Sequence, residues 1–183
     1  MKRLLQGRGF LFAVAVLVFL ADQVSKTLVL RYLAIDQAWN PIPGLSSLFT
    51  FTHVTNTGAA FGLFPDKGAL FAVIAVVVIA AIVAYYRYLP SDRLLVRASL
   101  GLQLGGALGN LLDRLHYGYV IDFIDFKIWP VFNIADSSIV IGVIILAFFL
   151  LREQEGGHPE PAGIQANAPS ETPAQPLSSD PVD

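Results

Sequence analysis

Residues 118–139, GYVIDFIDFKIWPVFNIADSSI, set Asp122, Asp125 and Asp136 beside an unbroken apolar run at 139–151. An Asp costs about 2.5–3.5 kcal/mol at the centre of a spanning helix. A carboxylate kept at the mouth of such a helix therefore needs a chemical reason. Two of the three are read as an acid–base pair working at a membrane surface. From 120 to 128 the pattern suits an extended chain with Asp122, Ile124, Phe126 and Ile128 on one side. Asp125 then faces the other way with Phe123 and Lys127. Asn133 and Asp136 have N-cap and N3 spacing, and helix capping alone accounts for both. It does not account for Asp122, nor for the polar groups that end two other apolar segments on the same side.

Composition supports a membrane setting. Of the 183 residues, 55% are hydrophobic and only 14% charged, and the mean hydropathy is +0.61, outside the range of soluble chains. There is no cysteine, so disulfides, thiol catalysis and cysteine metal sites are excluded. The net charge of −2 hides an asymmetry: residues 1–152 hold all 12 Lys and Arg against 8 acids, and 153–183 hold 6 acids and no base.

Spanning a bilayer takes about 20 apolar residues as helix. Four runs qualify, at about 10–30, 69–89, 94–112 and 131–151. The first follows Lys2, Arg3 and Arg8, but it is too long for a cleaved signal peptide and carries Asp22 and Lys26 where a small-residue cleavage site would fall. The basic flanks put both termini in the cytoplasm by the positive-inside rule, so 34–68 and 113–130 face outward. The fold class expected is an integral membrane, mainly α protein: four transmembrane helices with a small extracytoplasmic β-sheet and loop region at the outer surface. The expected domains are a membrane unit at 1–152 and a disordered, acidic, Pro-rich cytoplasmic tail at 153–183.

Several motifs lie on this frame. Asp22 and Lys26, four residues apart, share a helical face and can pair, either as a structural ion pair or as support for a site in the bundle. Residues 47–56, SLFTFTHVTN, alternate as a strand, with His53 expected at the surface. Asn56-Thr57-Gly58-Ala59-Ala60-Phe61-Gly62 reads as a turn, and as an ordinary loop unless a ligand approaches its backbone. The second run is apolar all round and reads as scaffold. In the third, Gly101, Gly105 and Gly109 give small-xxx-small frames for helix packing. Beyond them Asn110, Asp113 and Arg114 fall on one face, anchoring the interface or bracing a polar cavity.

Five blocks together resemble the bacterial lipoprotein signal peptidase family, signal peptidase II. They are Asp22-x-x-x-Lys26, Asn56-Thr57-Gly58-Ala59-Ala60-Phe61, the run 105–114 (GGALGNLLDR), Val120-Ile121-Asp122-Phe123 and Phe132-Asn133-Ile134-Ala135-Asp136, in order across about 10–151. The resemblance implies an aspartyl endopeptidase of the bacterial cytoplasmic membrane, with its active site near the outer face. It would cut diacylglyceryl-modified prolipoproteins just before the lipidated cysteine. Asp122 and Asp136 match the family's catalytic pair, and Asp22, Lys26, Asn56, Gly58, Asn110, Asp113, Arg114, Asn133 and Ala135 its other motif positions. No metal, cofactor or nucleic acid is expected. The partners implied are the lipid-modified prolipoprotein and membrane lipids, with the enzyme a monomer.

The residue types suit that chemistry. One ionised carboxylate activates water while one protonated carboxyl assists the carbonyl and the leaving amine, and two close Asp groups share one proton. A helix N-terminus favours negative charge, which makes Asp136 the base and Asp122 the acid. Metalloprotease ligand clusters are missing: His53, His116 and His158 are isolated, which also leaves Ser137 and Ser138 without a base. A transporter would spread its acids along a path and show an inverted repeat.

Overall fold

The first apolar run forms α1 (Gly9–Tyr32), whose buried residues Leu11, Ala15, Asp22, Lys26 and Val29 trace one helical stripe. Asp22 and Lys26 thus continue the face that Leu11 and Ala15 start. In the computed structural model the described residues are 9–58, 64, 67–88 and 93–155. The chain continues through β1 (Ala38–Trp39), β2 (Thr50–Asn56), α2 (Gly68–Tyr85), a 3-10 turn (Tyr86–Tyr88), α3 (Leu94–Tyr117), β3 (Val120–Asp125) and α4 (Ile134–Glu155). Lys2, Arg3, Arg8, Ala59 through Gly62 and residues 156–183 of the expected tail lie outside the described residues.

α3 packs against α1, α2 and α4. Its adjacent glycines serve two different neighbours. A Cβ on Gly105 would lie 2.5 Å from the Ala15 carbonyl oxygen of α1, and one on Gly106 2.5 Å from the Ala135 carbonyl oxygen of α4. Gly101 makes the same close approach to Leu11, so the glycine ladder is a packing device, as its spacing predicts. Among the described residues three helical stretches are long and apolar enough to cross a membrane: Gly9–Tyr32, Gly68–Tyr88 and Ile134–Arg152. The 24-residue α3 is more polar because its buried face carries Arg97, Ser99, Asn110 and Asp113 among the other helices.

The three strands form one antiparallel sheet in the order β1-β2-β3. Val54 pairs with Asp122 and Asn56 with Val120, after a bulge between Phe51 and Val54. Beyond β3 the chain turns back on itself. Ile124 bridges Phe132, whose carbonyl oxygen accepts from the Phe123 and Ile124 N–H groups at 3.0 and 2.8 Å. That return sets Asn133 beside β3.

Four sequence expectations change. α3 runs five residues past 112, to Tyr117, and stops at Gly118, which takes φ +82° and donates its N–H to the Arg114 carbonyl. Asn110, Asp113 and Arg114 are therefore inside the helix. The third strand ends at Asp125, short of 128, where Lys127 turns to φ +52°. α4 starts at Ile134 because Asn133 caps it, and ends at Glu155, three residues into the expected tail. His53 is buried at 3% exposure, with Nδ1 3.0 Å from the Leu33 carbonyl oxygen, because the turn after α1 folds over it.

Candidate active site

The site is built where α1, α3, β2, β3 and the start of α4 converge. Lys26 of α1 sends Nζ to two carboxylates, Asp22 Oδ2 and Asp113 Oδ2, each at 2.8 Å. It also donates to Asn110 Oδ1 at 3.0 Å. Asp22 and Asp113 each hold a strand or helix start in place. Asp22 Oδ1 accepts the Ala135 N–H at 3.0 Å, and Asp113 Oδ2 the Ile121 N–H at 3.1 Å. These two bonds fix the first turn of α4 and the start of β3 relative to the bundle.

Asp122 sits on β3 and accepts two amides, Asn133 Nδ2 on Oδ1 at 2.7 Å and Asn56 Nδ2 on Oδ2 at 2.9 Å. The sheet register explains the second: Asn56 lies two residues beyond Val54, the partner of Asp122, on the same strand face. Asp136 Oδ1 accepts Asn110 Nδ2 at 2.7 Å. Its own N–H donates to Asn133 Oδ1 at 2.8 Å, the N-cap bond that the spacing predicts. Asn133 also donates to Asn110 Oδ1 at 3.1 Å. Two asparagines therefore tie the Asp122 and Asp136 carboxyls into one network with Lys26.

Burial differs across the pair. Asp122 is 1% exposed, and Asp136 is half-buried on the wall of a cavity of about 660 Å³. The cavity is also lined by Asn56, Gly58, Asn110, Arg114 and Ser137, and by Phe71, Ile74, Ala75 and Val78 of α2. α2, expected to be scaffold alone, supplies the apolar wall. Burial pushes the Asp122 carboxyl up to about 7, helped by the charge on Asp136 and opposed by the Asn56 and Asn133 amides and by Lys26.

All eleven expected residues meet at this place. Gly58 and Arg114 form its rim: the Gly58 N–H donates to Asn56 Oδ1 at 3.0 Å, and Arg114 lies over the Phe71 ring at 5.5 Å. Ala135 contributes its N–H, and a Cβ on the neighbouring Gly109 would collide with Asp22 Oδ2. Asp125 is elsewhere. It accepts from Thr52 Oγ1 at 2.8 Å and pairs with Lys127. Desolvation works to raise its pKa, but those partners hold it below the usual carboxylate range. Sequence reasoning missed Gln23, whose Nε2 donates to Asp22 Oδ2 and Asp113 Oδ1, both at 3.1 Å. Its signal in the sequence is a long polar side chain next to Asp22 inside the first span. Among the described residues no group of three or more His, Asp or Glu is arranged to hold a metal ion.

Fold and site together define a mainly helical, multi-span membrane protein with two carboxyls joined through asparagines, one of them on a cavity wall. The family model for signal peptidase (SPase) II matches residues 14–152. A lipoprotein signal peptidase of Moorella thermoacetica is 49% identical over 155 residues, covering 85% of this chain and 96% of that protein. One of Halothermothrix orenii is 45% identical, covering 80% and 98%. A solved bacterial membrane enzyme superposes with a TM-score of 0.73 at 33% identity, covering 83% of this chain and 93% of that one. The chain belongs to the signal peptidase II family, as the five sequence blocks suggest, and is a peptidase by that membership.

Proposed function

We propose that the protein is an aspartyl endopeptidase that removes the signal peptide from diacylglyceryl-modified prolipoproteins, cutting before the lipidated cysteine. The observation that supports this reading most is the joined pair: Asp122, buried on β3, and Asp136, on the cavity wall, tied together through Asn133 and Asn110. Asp136 takes a proton from water as that water attacks the scissile carbonyl. Asp122 gives its proton to the carbonyl oxygen. When the intermediate collapses, Asp136 passes its proton to the leaving amine and Asp122 recovers one from the former carbonyl oxygen. Both groups then stand as they began.

The membrane setting belongs to the same proposal. α3 is the fourth span: its 24 residues would cover about 36 Å, and its polar residues face other helices instead of lipid. The spans lie in the bacterial cytoplasmic membrane with both termini in the cytoplasm and the site near the outer face. Residues 1–152 form the membrane unit of a monomeric enzyme, and 153–183 a tail into which α4 continues as far as Glu155.

The test is incubation of the purified protein in detergent with a diacylglyceryl-modified prolipoprotein. A shorter product is expected, its amount unchanged by EDTA. A peptide with the same lipobox sequence but no lipid should be cut far more slowly, because acyl chains contribute about 0.8 kcal/mol of anchoring per buried methylene. Equal cutting of both peptides would refute the lipid requirement.

A pH profile tests the acid. Asp122 must be protonated to act, so kcat/KM is expected to fall as pH rises through about 7. The folded chain holds this proton more tightly than the unfolded one. Its stabilising contribution is therefore complete below 3.8 and lost as pH rises through about 7. An activity profile flat from about pH 6 to about pH 9 would assign the proton to another group.

A further inference from the structure

One amide in the cavity takes no part in the network around the Asp pair. Gln103, Ala107, Asn110 and Arg114 share the face of α3 that lines the cavity. Gln103 lies two turns before Asn110, which at 1.5 Å per residue is about 10 Å deeper in the bundle. The cavity wall also carries Ala75, Val78, Val140 and Ile141, all apolar. Gln103 packs its stem on α4, where a Cβ on Gly142 would lie 2.8 Å from Gln103 Cγ. Its Nε2 is buried and finds no acceptor among the described residues. A buried amide without a partner costs about 1–3 kcal/mol, so its place on a cavity wall points to an acceptor that comes with the ligand.

We propose that Gln103 is a positioning residue that donates to a main-chain carbonyl of the signal peptide, about three residues before the scissile bond. The proposal rests on the peptidase reading above. A peptide bond can reach two carboxyls only where its chain is unwound, so the helical part of a signal peptide must end below the Asp pair. The last four carbonyls of a helix have no partner within it, and hydrocarbon offers no water to satisfy them. An extended chain advances about 3.3 Å per residue, so the depth of Gln103 corresponds to about three residues upstream. The ester carbonyls of the diacylglyceryl group are the competing acceptors. They hang from the cysteine on the far side of the scissile bond, near the outer surface, and send only methylenes to this depth.

Gln103→Met keeps the stem and removes the donor. With the diacylglyceryl prolipoprotein its kcat/KM is expected to drop about tenfold, while its melting temperature in detergent stays at or above that of the wild type. Synthetic lipidated substrates carrying one thioamide, a weak acceptor, at the second, third or fourth upstream carbonyl locate the partner. One of them should slow the wild type several-fold and slow Gln103→Met no further, a coupling that a merely structural role would not produce. Equal cleavage of the parent substrate by both proteins, or additive losses at every carbonyl, would overturn the proposal. So would loss of the Gln103 dependence on replacing the acyl esters by ethers, which would assign the donor to the lipid. A wild type that leaves the parent substrate uncut sinks the peptidase reading itself, and this control separates the two failures.

Discussion

Asp122→Asn and Asp136→Asn are each expected to lower cleavage of the lipidated prolipoprotein by about a thousandfold or more, since each removes one half of an acid–base pair. Their effects on folding should differ. Asp122 accepts from two amide donors, Asn133 at 2.7 Å and Asn56 at 2.9 Å. An Asn there has only one acceptor oxygen, and its own NH2 meets one of those donors. A buried mismatch of this kind costs about 1–3 kcal/mol, so Asp122→Asn should melt earlier. Asp136 accepts one amide, from Asn110, and is half-buried. Asn at 136 can turn its oxygen to that donor and should melt close to the wild type. Asp125→Asn, whose partners are Thr52 and Lys127, should keep activity within a few-fold. The measurements are the cleavage rate and the melting temperature in detergent. A dead Asp125→Asn beside an active Asp122→Asn would reverse the assignment.

How far the sequence reveals this arrangement depends on the range of the interaction. Local periodicity carries the α1 stripe, because Asp22 and Lys26 lie one turn apart on the face that Leu11 and Ala15 begin. It carries the cap at Asn133 and Asp136 and the glycine ladder of α3 for the same reason. The closure of the network is long-range. Asn56 reaches Asp122 only because a bulge sets the register of β2 on β3, and Asn133 reaches it only because Phe132 folds back on Ile124. No spacing rule encodes either contact. α2 shows a different limit, since lipid and an apolar cavity wall ask for the same residues, and Phe71, Ile74 and Val78 look alike in both roles. The surface position expected for His53 fails because strand alternation assigns faces but not what covers them. Hydropathy falls at Asp113 and Arg114, which places the end of α3 too early. A helix buried by its neighbours need not stop where it stops being apolar.

Lys26→Met is expected to have the largest effect on stability. Lys26 Nζ lies 2.8 Å from both Asp22 and Asp113, and the three side chains are 1%, 0% and 1% exposed as residues. Removing one partner of a buried ion pair costs about 3–5 kcal/mol, because the charge left behind has neither counter-ion nor water. Here two carboxylates are left. Native domains are stable by only about 5–15 kcal/mol, so the variant should melt far below the wild type and lose cleavage with it. Fold and site fail together because Asp22 holds the Ala135 N–H and Asp113 the Ile121 N–H. These bonds set α4 and β3, the elements that carry Asp136 and Asp122. A second variant separates charge from packing. Lys26→Met combined with Asp113→Asn leaves one uncompensated carboxylate in place of two, and should regain part of the lost melting temperature. It should not regain activity, because Asn110 Oδ1 still lacks the Nζ donor that steadies the amide on Asp136. If Lys26→Met alone melted with the wild type, the two carboxyls would be taking protons at no cost. The ion pair would then contribute nothing to holding β3 and α4 together.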